Sequence, residues 1–342
     1  MLLNKRKIFA GVLSLVMIGT MISGCSANNS VSNGSTEKLS GSITLYTSQP
    51  EEDIQKLVEK FNEKQPDITV NVFRSGTEEV VSKVQAEKQA NAMQADVLLV
   101  ADAVTFESLK ADDILASYES PELDGISSEF YDAEHTYTGT KVISTGIMVN
   151  TDMVKEPVTS FSDLTREDLK GNTIIPSPLY SGAAAYNLSV LTRTDGLGWD
   201  YFQKLKDNGV TVDKGNGTVQ KAITGGQKAA GMIVDYMALR SKAEGAPVDF
   251  VYPEEGSLIV TEPVGIVKNC ANEEQAKAFV DFILSEDGQK ATAEIGYTPI
   301  KEGVEAPEGF KTVSEIKNLT QSMDTLVQNR ETDKEKFSQM FN

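Results

Sequence analysis

The feature that most constrains this chain is an apolar strand that runs through a short polar turn into a helix, repeated along the sequence. Residues 42–46 alternate as a strand and are followed by an apolar helical face over residues 54–61. Residues 68–73 begin a second unit, and the continuous apolar run at 97–100 is typical of the buried middle of a parallel sheet. This alternation predicts an α/β protein.

Polar residues stand where the first three strands end. Ser48 and Ser75 each begin a Ser-x-x-Glu pattern, which predicts a capping box at a helix start, and Asp102 follows the third strand. The carboxyl ends of parallel strands share one edge of a sheet, where open α/β sheets bind ligands. The three side chains are therefore candidate ligand contacts, although each one alone is more often a helix cap.

A second candidate is the start of the helix after residues 173–175. Two prolines prevent helix before Ser181, which is a good N-cap, and alanines follow it. The first N–H groups of a helix lack partners and carry partial positive charge, so an anion fits there. Gly182 has no Cβ and would let the anion approach the backbone, next to Ala183. The alternative is an ordinary capped helix.

The later part of the chain repeats the strand and helix alternation and predicts a second lobe. Residues 141–150 form a long strand broken near Thr145, a plausible crossing between lobes. Asn216 and the pair Asp235 and Tyr236 then fall where later strands end. The strand ends of the two lobes are expected to face each other across a cleft.

Composition limits the partners of this chain. Its 342 residues are enough for two domains, and 50 acidic residues oppose 32 basic ones. Nucleic acid is excluded as a partner because phosphate contacts need clustered basic residues, which this sequence lacks. A small anion remains possible, since amides and hydroxyls can hold it without net positive charge.

The first segment is predicted to be a secretion signal and not part of the fold. A basic stretch at residues 5–7 and an apolar stretch at 8–22 precede small residues and Cys25, which resembles a bacterial lipoprotein signal. Cys25 is then the acylated N-terminus, unless the leader is a plain secretory peptide with an incidental cysteine. Loss of the leader takes the formal net charge from −18 to −21. Only Cys270 remains, so no disulfide forms within the mature chain.

From residue 42 to about 289 the chain resembles ABC-transporter solute-binding proteins of the type II periplasmic-binding fold. The resemblance rests on residues 45–49, which include Ser48 and Gln49, on residues 95–97, on the Ser-Gly-Ala step, on Asn216 and on a helix over 272–288. It implies a two-lobed Venus-flytrap protein, with a mostly parallel sheet in each lobe, flanking helices and a ligand cleft between the lobes. The expected domains are a signal peptide (1–24), a flexible tether (25–40), a first lobe (41–144 and 264–300), a second lobe (145–263) and C-terminal helices (301–342).

The resembling branch contains ferric-iron, phosphonate, sugar-phosphate and thiamine binders. Its ferric members hold iron with two adjacent tyrosines, usually a histidine and a carboxylate, and an anion on a Ser-Gly-Ala helix start. Here Tyr236 matches the first tyrosine, but Met237 replaces the second and Pro50 falls near the expected histidine. A thioether does not replace a phenolate for the hard ferric ion. The sequence therefore favours a phosphate or phosphonate whose organic tail contacts Asp235, although Asp235 is equally a possible N-cap.

Proteins for 2-aminoethylphosphonate resemble this chain most, sugar-phosphate binders come next, and thiamine phosphates and ferric iron stay open. The resemblance implies a monomer without cofactor or metal, held to the bacterial membrane by its N-terminal lipid. Its two lobes are expected to close on the ligand about hinges near Thr145 and Val264. The closed protein would then dock on a membrane permease. The predicted ligand contacts are Ser48, Gln49, Ser75, Asp102, Thr145, Ser181, Gly182, Ala183, Asn216, Asp235 and Tyr236.

A secreted enzyme and a ligand sensor are two other classes of function to compare with the sequence. A secreted phosphoester hydrolase would need a nucleophile with a base, or a metal cluster, and the sequence has one histidine, His135, and no Gly-x-Ser-x-Gly. No catalytic residues are therefore predicted. A lipid-anchored sensor that presents its ligand to a receptor shares the same fold, and the sequence does not separate it from an uptake protein.

Overall fold

The structure is a computed structural model and describes residues 39–341. The predicted leader, Cys25 and most of the predicted tether lie outside the described residues. None of the helices within 39–341 has the length and apolar character needed to cross a membrane.

Strands and helices alternate along most of the chain. The strands are β1 (Gly41–Thr47), β2 (Ile68–Arg74), β3 (Val97–Leu99), β4 (Thr138–Asn150), β5 (Thr173–Pro176), β6 (Thr211–Asp213), β7 (Ala230–Val234), β8 (Val248–Val251), β9 (Ser257–Ile266) and β10 (Asn318–Leu319). The α-helices are α1 (Glu51–Lys64), α2 (Thr77–Gln89), α3 (Ala103–Ala111), α4 (Gly182–Leu191), α5 (Gly198–Asp207), α6 (Asn216–Thr224), α7 (Asp235–Ala243), α8 (Glu273–Leu284), α9 (Glu286–Ile295) and α10 (Met323–Phe341).

The strands form a mixed sheet in the order β2-β1-β3-β9-β4-β7-β5-β6, with β8 paired to β4 and β10 to β9. The outer strands are parallel on both sides, β2-β1-β3 in the first lobe and β7-β5-β6 in the second. The two central strands, β9 and β4, run antiparallel to each other, and β9 is antiparallel to β3 and β4 to β7, while the short strand β10 pairs with β9 in parallel. The expected two-lobed α/β fold is confirmed.

The central strands connect the lobes. Strand β4 pairs with β9 up to Thr145 and with β7 from Thr145 onward. Strand β9 pairs with β3 from Val264. The change of partner therefore occurs at the residues that the sequence singled out as hinges, while the exact domain boundaries stay a prediction.

Strand β9 is continuous through Pro263, because this residue is accommodated within the antiparallel pairing with β4. One predicted element was wrong in extent. The predicted helix over 272–288 is two helices divided at Ser285. The backbone of Ser285 is extended and its hydroxyl accepts a hydrogen bond from the Gly288 N–H at 3.1 Å, which caps α9.

Two predicted capping boxes were also wrong. Helices α1 and α2 begin after Pro50 and Gly76, and neither start has a side-chain cap. Ser48 instead donates to Glu262, 214 residues away in sequence, and Ser75 donates to Glu79. Ser48 thus has a distant partner in β9 and Ser75 a partner one helical turn away, and neither hydroxyl caps the helix start.

Each lobe has its own apolar core. In the first lobe, Phe61 packs edge-on against Phe279 and Phe282, with ring centroids 5.1 and 5.6 Å apart. In the second lobe, α4 is buried along its whole length. The region at 301–342 was predicted to be helical, but its described part contains one α-helix, α10, besides a single 3-10 turn and the short strand β10. Leu326 and Phe337 of α10 belong to the second-lobe core.

The lobes touch each other in this structure. The Tyr180 ring of the second lobe packs on Gly76 of the first, where a Cβ would lie 2.5 Å from the ring. A Cβ on Gly182 would lie 2.2 Å from the carbonyl oxygen of Ala101. Arg240 of α7 makes hydrogen bonds of 2.9 and 3.0 Å to Asp53 of α1. The lobes are thus closed, with two glycines at their tightest contacts.

We expect Gly182→Ala to keep the lobes apart, because its methyl group overlaps the Ala101 carbonyl. Small-angle scattering of the ligand-free protein should give a larger radius of gyration than the wild type. Gly217→Ala is the matched control, since Gly217 also lies at a helix start and a Cβ there meets nothing within 4 Å. Equal radii for the two variants would contradict the expectation.

Candidate functional site

A cavity of about 260 Å³ lies between the two lobes. Residues from the ends of β1 and β3, from the starts of α2, α4 and α6, and from the central strands β4 and β9 form its wall. The lining residues are Ser48, Pro50, Arg74, Gly76, Thr77, Ala101, Ile143, Tyr180, Ser181, Gly182, Ala183, Lys214, Gly215, Asn216, Gly217, Thr218, Lys221, Val234, Tyr236, Met237 and Glu262.

The start of α4 opens into this cavity. The Ser181 hydroxyl caps the helix by accepting a hydrogen bond from the Ala184 N–H at 3.3 Å, as predicted. Asn216 donates to the same hydroxyl at 3.4 Å. The N–H groups of Gly182 and Ala183 have no hydrogen-bond acceptor within residues 39–341. We call this helix start, Ser181 to Ala183, the anion seat.

Two further helix starts face the same space. Helix α6 begins at Asn216, and Gly217 lies in its first turn on the cavity wall. Helix α2 of the first lobe presents Gly76 and Thr77. Helix starts carry partial positive charge, so three of them around one cavity favour an anion there.

Two basic side chains of the cavity wall, Arg74 and Lys221, have no acidic partner in the described part of the chain. Arg74 donates to the carbonyl oxygens of Gln49 and Ser48, at 2.9 and 3.4 Å, and to the Tyr180 hydroxyl at 3.4 Å, and it forms no ion pair with a described residue. The Lys221 ammonium likewise has no hydrogen bond or ion pair in the described part of the chain. In a protein with an 18-charge acidic excess, these unpaired cations give the cavity a local positive character.

Lys214 forms the rim of the cavity together with Tyr180. Its ammonium lies 4.4 Å from the centre of the Tyr180 ring and 3.3 Å from the carboxylate of Glu79 in the first lobe. This exposed ion pair spans the two lobes. It contributes little to stability by itself, but it places a third cation at the mouth.

One carboxylate, Glu262 of β9, lies on the cavity wall. It is 4% exposed and forms a buried ion pair with Lys141 of β4, and its Oε2 accepts from the Gln49 amide at 3.0 Å. Its Oε1 has only a 3.3 Å contact with Ser48. An oxygen with one weak partner inside a polar cavity can accept a hydrogen bond from a hydroxyl or amine of a ligand.

Tyr236 lines the cavity but its hydroxyl is held in the neutral form. Burial raises its pKa well above the usual range, and the nearby carboxylates Asp53 and Glu262 raise it further. Its ring contacts Tyr297, with centroids 4.4 Å apart, and the guanidinium of Arg240. Tyr236 thus offers a neutral hydroxyl on the cavity wall that can donate a hydrogen bond to a ligand.

The structure brings six of the eleven sequence-predicted contacts to the cavity and leaves five outside it. Those on the wall are Ser48, Ser181, Gly182, Ala183, Asn216 and Tyr236; those outside are Gln49, Ser75, Asp102, Thr145 and Asp235.

The five outside residues have protein partners. Gln49 donates to Glu262, and Ser75 donates to Glu79. Asp102 caps α3 by accepting from the Thr105 N–H at 3.0 Å, and it is paired with Arg330. Thr145 accepts from the Asn187 amide at 3.1 Å. Asp235 is 3% exposed at the start of α7, and its Oδ1 accepts from the Tyr236 N–H at 2.8 Å. Their direct contact with a ligand stays a prediction.

Sequence reasoning missed the cations and the carboxylate of the cavity. Arg74 ends a strand immediately before Ser75, so the edge rule could have found it. Glu262 is a charged residue inside an apolar strand. Because burying an unpaired charge is costly, such a residue indicates a buried ion pair or a binding site. Lys214 and Lys221 carry no signal of this kind, since exposed lysines are common.

Within residues 39–341 no group of three or more His, Cys, Asp or Glu side chains is placed to hold a metal ion. His135 lies away from the cavity wall and stacks on Tyr131, with ring centroids 5.5 Å apart. Cys270 is a half-buried free thiol.

A family model described as bacterial extracellular solute-binding protein matches residues 56–318. The chain belongs to this family. It is therefore a solute-binding protein of the kind that serves ABC importers, and not an enzyme.

Relatives of this solute-binding protein carry several names. Iron uptake protein A1 of Synechocystis sp. is 26% identical over 339 residues, and the match covers 92% of each of the two chains. The putative ABC transporter substrate-binding lipoprotein YvgL of Bacillus subtilis is 28% identical over 300 residues, which are 86% of this chain and 98% of YvgL. The structure of the periplasmic binding protein AfuA of Actinobacillus pleuropneumoniae, solved with fructose-6-phosphate, superimposes with a TM-score of 0.80 at 24% identity. The superposition covers 88% of this chain and 99% of AfuA.

The carboxyl group of Asp235 gives this protein a distinct pH dependence. Burial raises its pKa from 3.8 to about 7, against hydrogen bonds from backbone groups at Ser144 and Tyr236. Between these two pH values the folded protein holds a proton that the unfolded chain releases, so this group lowers the stability as the pH rises to 7. Above pH 7 the cost is complete and amounts to at most about 4 kcal/mol.

We therefore expect Asp235→Asn to stabilise the protein at about pH 8 and to leave it nearly unchanged at about pH 4. The amide keeps the acceptor for the Tyr236 N–H but carries no charge. Denaturant unfolding at the two pH values measures the free energy of unfolding of the variant and of the wild type. In the difference between the two proteins, the titration of all other acidic groups cancels. A difference that does not depend on pH would show that Asp235 is not the buried acid.

Proposed function

We propose that this solute-binding protein captures a small organic anion with a phosphate or phosphonate head and delivers it to a membrane permease. The observation that carries the proposal is the cavity itself, where three helix starts meet the unpaired cations Arg74 and Lys221 in an acidic protein. The lining contains one carboxylate, Glu262, and Lys141 neutralises it.

The head of the ligand is proposed to bind at the anion seat. The free N–H groups of Gly182 and Ala183 would donate to two of its oxygens, and Arg74 would approach from the first lobe. Hydrogen bonds between charged and neutral groups are about twice as strong as neutral ones, and a helix start adds about 0.3–1 kcal/mol. A phosphoryl dianion uses these donors better than a carboxylate because it offers three oxygens.

The tail of the ligand is proposed to contact Glu262 and Tyr236 instead of Asp235. Glu262 offers an acceptor and Tyr236 a donor on the wall of one cavity, a combination that suits hydroxyl or amino groups. Both 2-aminoethylphosphonate and hexose phosphates meet this requirement. The structural likeness to AfuA with bound fructose-6-phosphate supports the sugar phosphate, and a thiamine phosphate also combines an anion with a cationic body.

Ferric iron is the main competitor, because Iron uptake protein A1 is a relative over nearly the whole chain. Ferric iron needs several oxygen donors, preferably anionic. Met237, beside Tyr236, supplies only a thioether, Glu262 already pairs with Lys141, and Arg74 and Lys221 place positive charge on the same wall. These three observations favour the organic anion.

We further propose that the protein is a monomer anchored to the bacterial membrane through acylated Cys25, as the lipoprotein name of YvgL supports. Ligand binding would stabilise the closed lobes, since contacts to Arg74 and to the anion seat form together only when the lobes meet. The closed form would then dock on the permease. The same closure would serve a receptor if the protein were a sensor.

A thermal-shift series tests the ligand class. We expect 2-aminoethylphosphonate or fructose 6-phosphate to raise the melting temperature, since a ligand at one hundred times its Kd stabilises the folded state by about 2.7 kcal/mol. Inorganic phosphate should give a smaller rise because it lacks the tail. Ferric citrate should give neither a rise nor the colour of an iron–tyrosinate complex, and either of these would overturn the proposal.

We expect Ser181→Asp to reduce binding of the stabilising ligand more than tenfold. Aspartate also caps helices, so the start of α4 is preserved, while its carboxylate repels the anion from the seat. Isothermal titration with 2-aminoethylphosphonate and fructose 6-phosphate measures the loss. His135→Ala is the control outside the cavity, and equal losses in the two variants would discredit the site.

A further inference from the structure

Helix α10 crosses from one lobe to the other behind the cavity. Its buried side chains are Leu326, Arg330, Asp333 and Phe337, spaced so that they lie on one face of the helix. Two of the four are apolar and two are charged. The two charged residues have partners on different lobes.

The contacts of α10 with the second lobe are apolar and ionic. Phe337 packs edge-on against Phe202, with ring centroids 6.0 Å apart. Asp333 accepts hydrogen bonds from Arg193 at 2.6 and 3.1 Å and from Ser189 at 2.8 Å; Ser189 belongs to α4, and Arg193 follows the end of that helix. Helix α10 is therefore rooted in the second lobe.

The contacts with the first lobe are ionic and hydrogen-bonded. Arg330 donates to Asp102 at 3.1 and 3.3 Å, to Glu78 at 2.9 Å and to the Thr105 hydroxyl at 3.0 Å. Lys334 adds a 2.6 Å bond to Glu78. Burial raises the pKa of Glu78, but Arg330 and Lys334 outweigh burial and hold it below its ordinary value. Both carboxylates are thus paired with cations from α10.

The partners of α10 lie next to the cavity on both sides. Glu78 follows Thr77 at the start of α2, and Asp102 follows Ala101, so both carboxylates are adjacent to lining residues. On the other side, Ser189 belongs to α4, whose first turn is the anion seat. One helix therefore fixes the first-lobe wall relative to the second-lobe seat.

We propose that α10 is an interlobe strap and that Arg330 is a positioning residue that stabilises the closed arrangement before any ligand binds. This inference goes beyond the proposed function, because it concerns the equilibrium between open and closed lobes of the ligand-free protein. Opening the cleft separates Arg330 from Asp102 and Glu78, while Phe337 and Asp333 stay with the second lobe.

The chemistry of the strap suits a contact that must form and break. Separating an apolar contact exposes hydrocarbon to water, whereas separated ions regain hydration. A buried ion pair is therefore close to balance between its attraction and its cost of desolvation. The free-energy difference between a closed form held in this way and an open form is therefore small. The apparent ligand affinity scales with the fraction of molecules that are closed.

A matched pair of substitutions tests the strap. Arg330→Gln and Arg193→Gln each remove one arginine–aspartate pair of α10, but only the first pair joins different lobes. The interlobe distance is measured without ligand by electron paramagnetic resonance between spin labels at Glu59→Cys in α1 and Lys204→Cys in α5, with Cys25 and Cys270 replaced by serine. Circular dichroism checks that each protein is folded.

We expect Arg330→Gln to shift the label distance by more than about 2 Å, the scale of domain rearrangements, and Arg193→Gln to leave it unchanged. An unchanged distance in Arg330→Gln, or equal shifts in both variants, would overturn the strap. If Arg330→Gln does not fold, Lys334→Gln replaces it, with a smaller shift expected and no shift contradicting the proposal. Because no ligand is present, the outcome is independent of the proposed ligand.

Discussion

The free N–H groups at the start of α4 are the constraint on which the site depends. A helix leaves its first amide groups without partners, and Ser181 satisfies only that of Ala184. Gly182 and Ala183 are left to donate into the space between the lobes. Gly182 has a second role there, since only a residue without Cβ lets the Ala101 carbonyl of the first lobe come so close. The start of α4 thus provides N–H groups that need an acceptor, and its glycine allows the two lobes to approach closely around them.

The cavity carries unpaired positive charges although the protein as a whole is acidic. The chain is strongly acidic, yet four carboxylates at or beside the cavity are paired: Glu262 with Lys141, Glu79 with Lys214, and Glu78 and Asp102 with Arg330. Arg74 and Lys221 are left without acidic partners at the cavity itself. An anion therefore meets local positive potential within a negative molecule, which favours a small charged solute over an extended polyanion.

The two lobes are joined by elements of different mechanical character. The central strands β4 and β9 exchange partners at Thr145 and Val264 and form a continuous hydrogen-bonded connection. The lobes also meet through side chains, with Arg240 on Asp53 and Arg330 on Asp102. Strand pairing can bend while remaining intact, whereas ion pairs separate completely. The lobes are thus joined both by continuous strands and by side-chain contacts between separate elements.

The sequence by itself determined the α/β class, the two lobes, the capped start of α4 and the presence of Tyr236 without a second tyrosine, because alternation, capping and family motifs are local patterns. It failed for side chains whose partners the local pattern does not show: Ser48 bonds Glu262 of β9, Ser75 bonds Glu79 and not the helix start, and Asp235 is buried outside the cavity wall. Only the tertiary structure decided that Arg74, Lys221 and Glu262 share one wall with the anion seat. The physical reason is that periodicity sets which elements form, while the side chains that meet are set by strand register and by how closely two lobes approach.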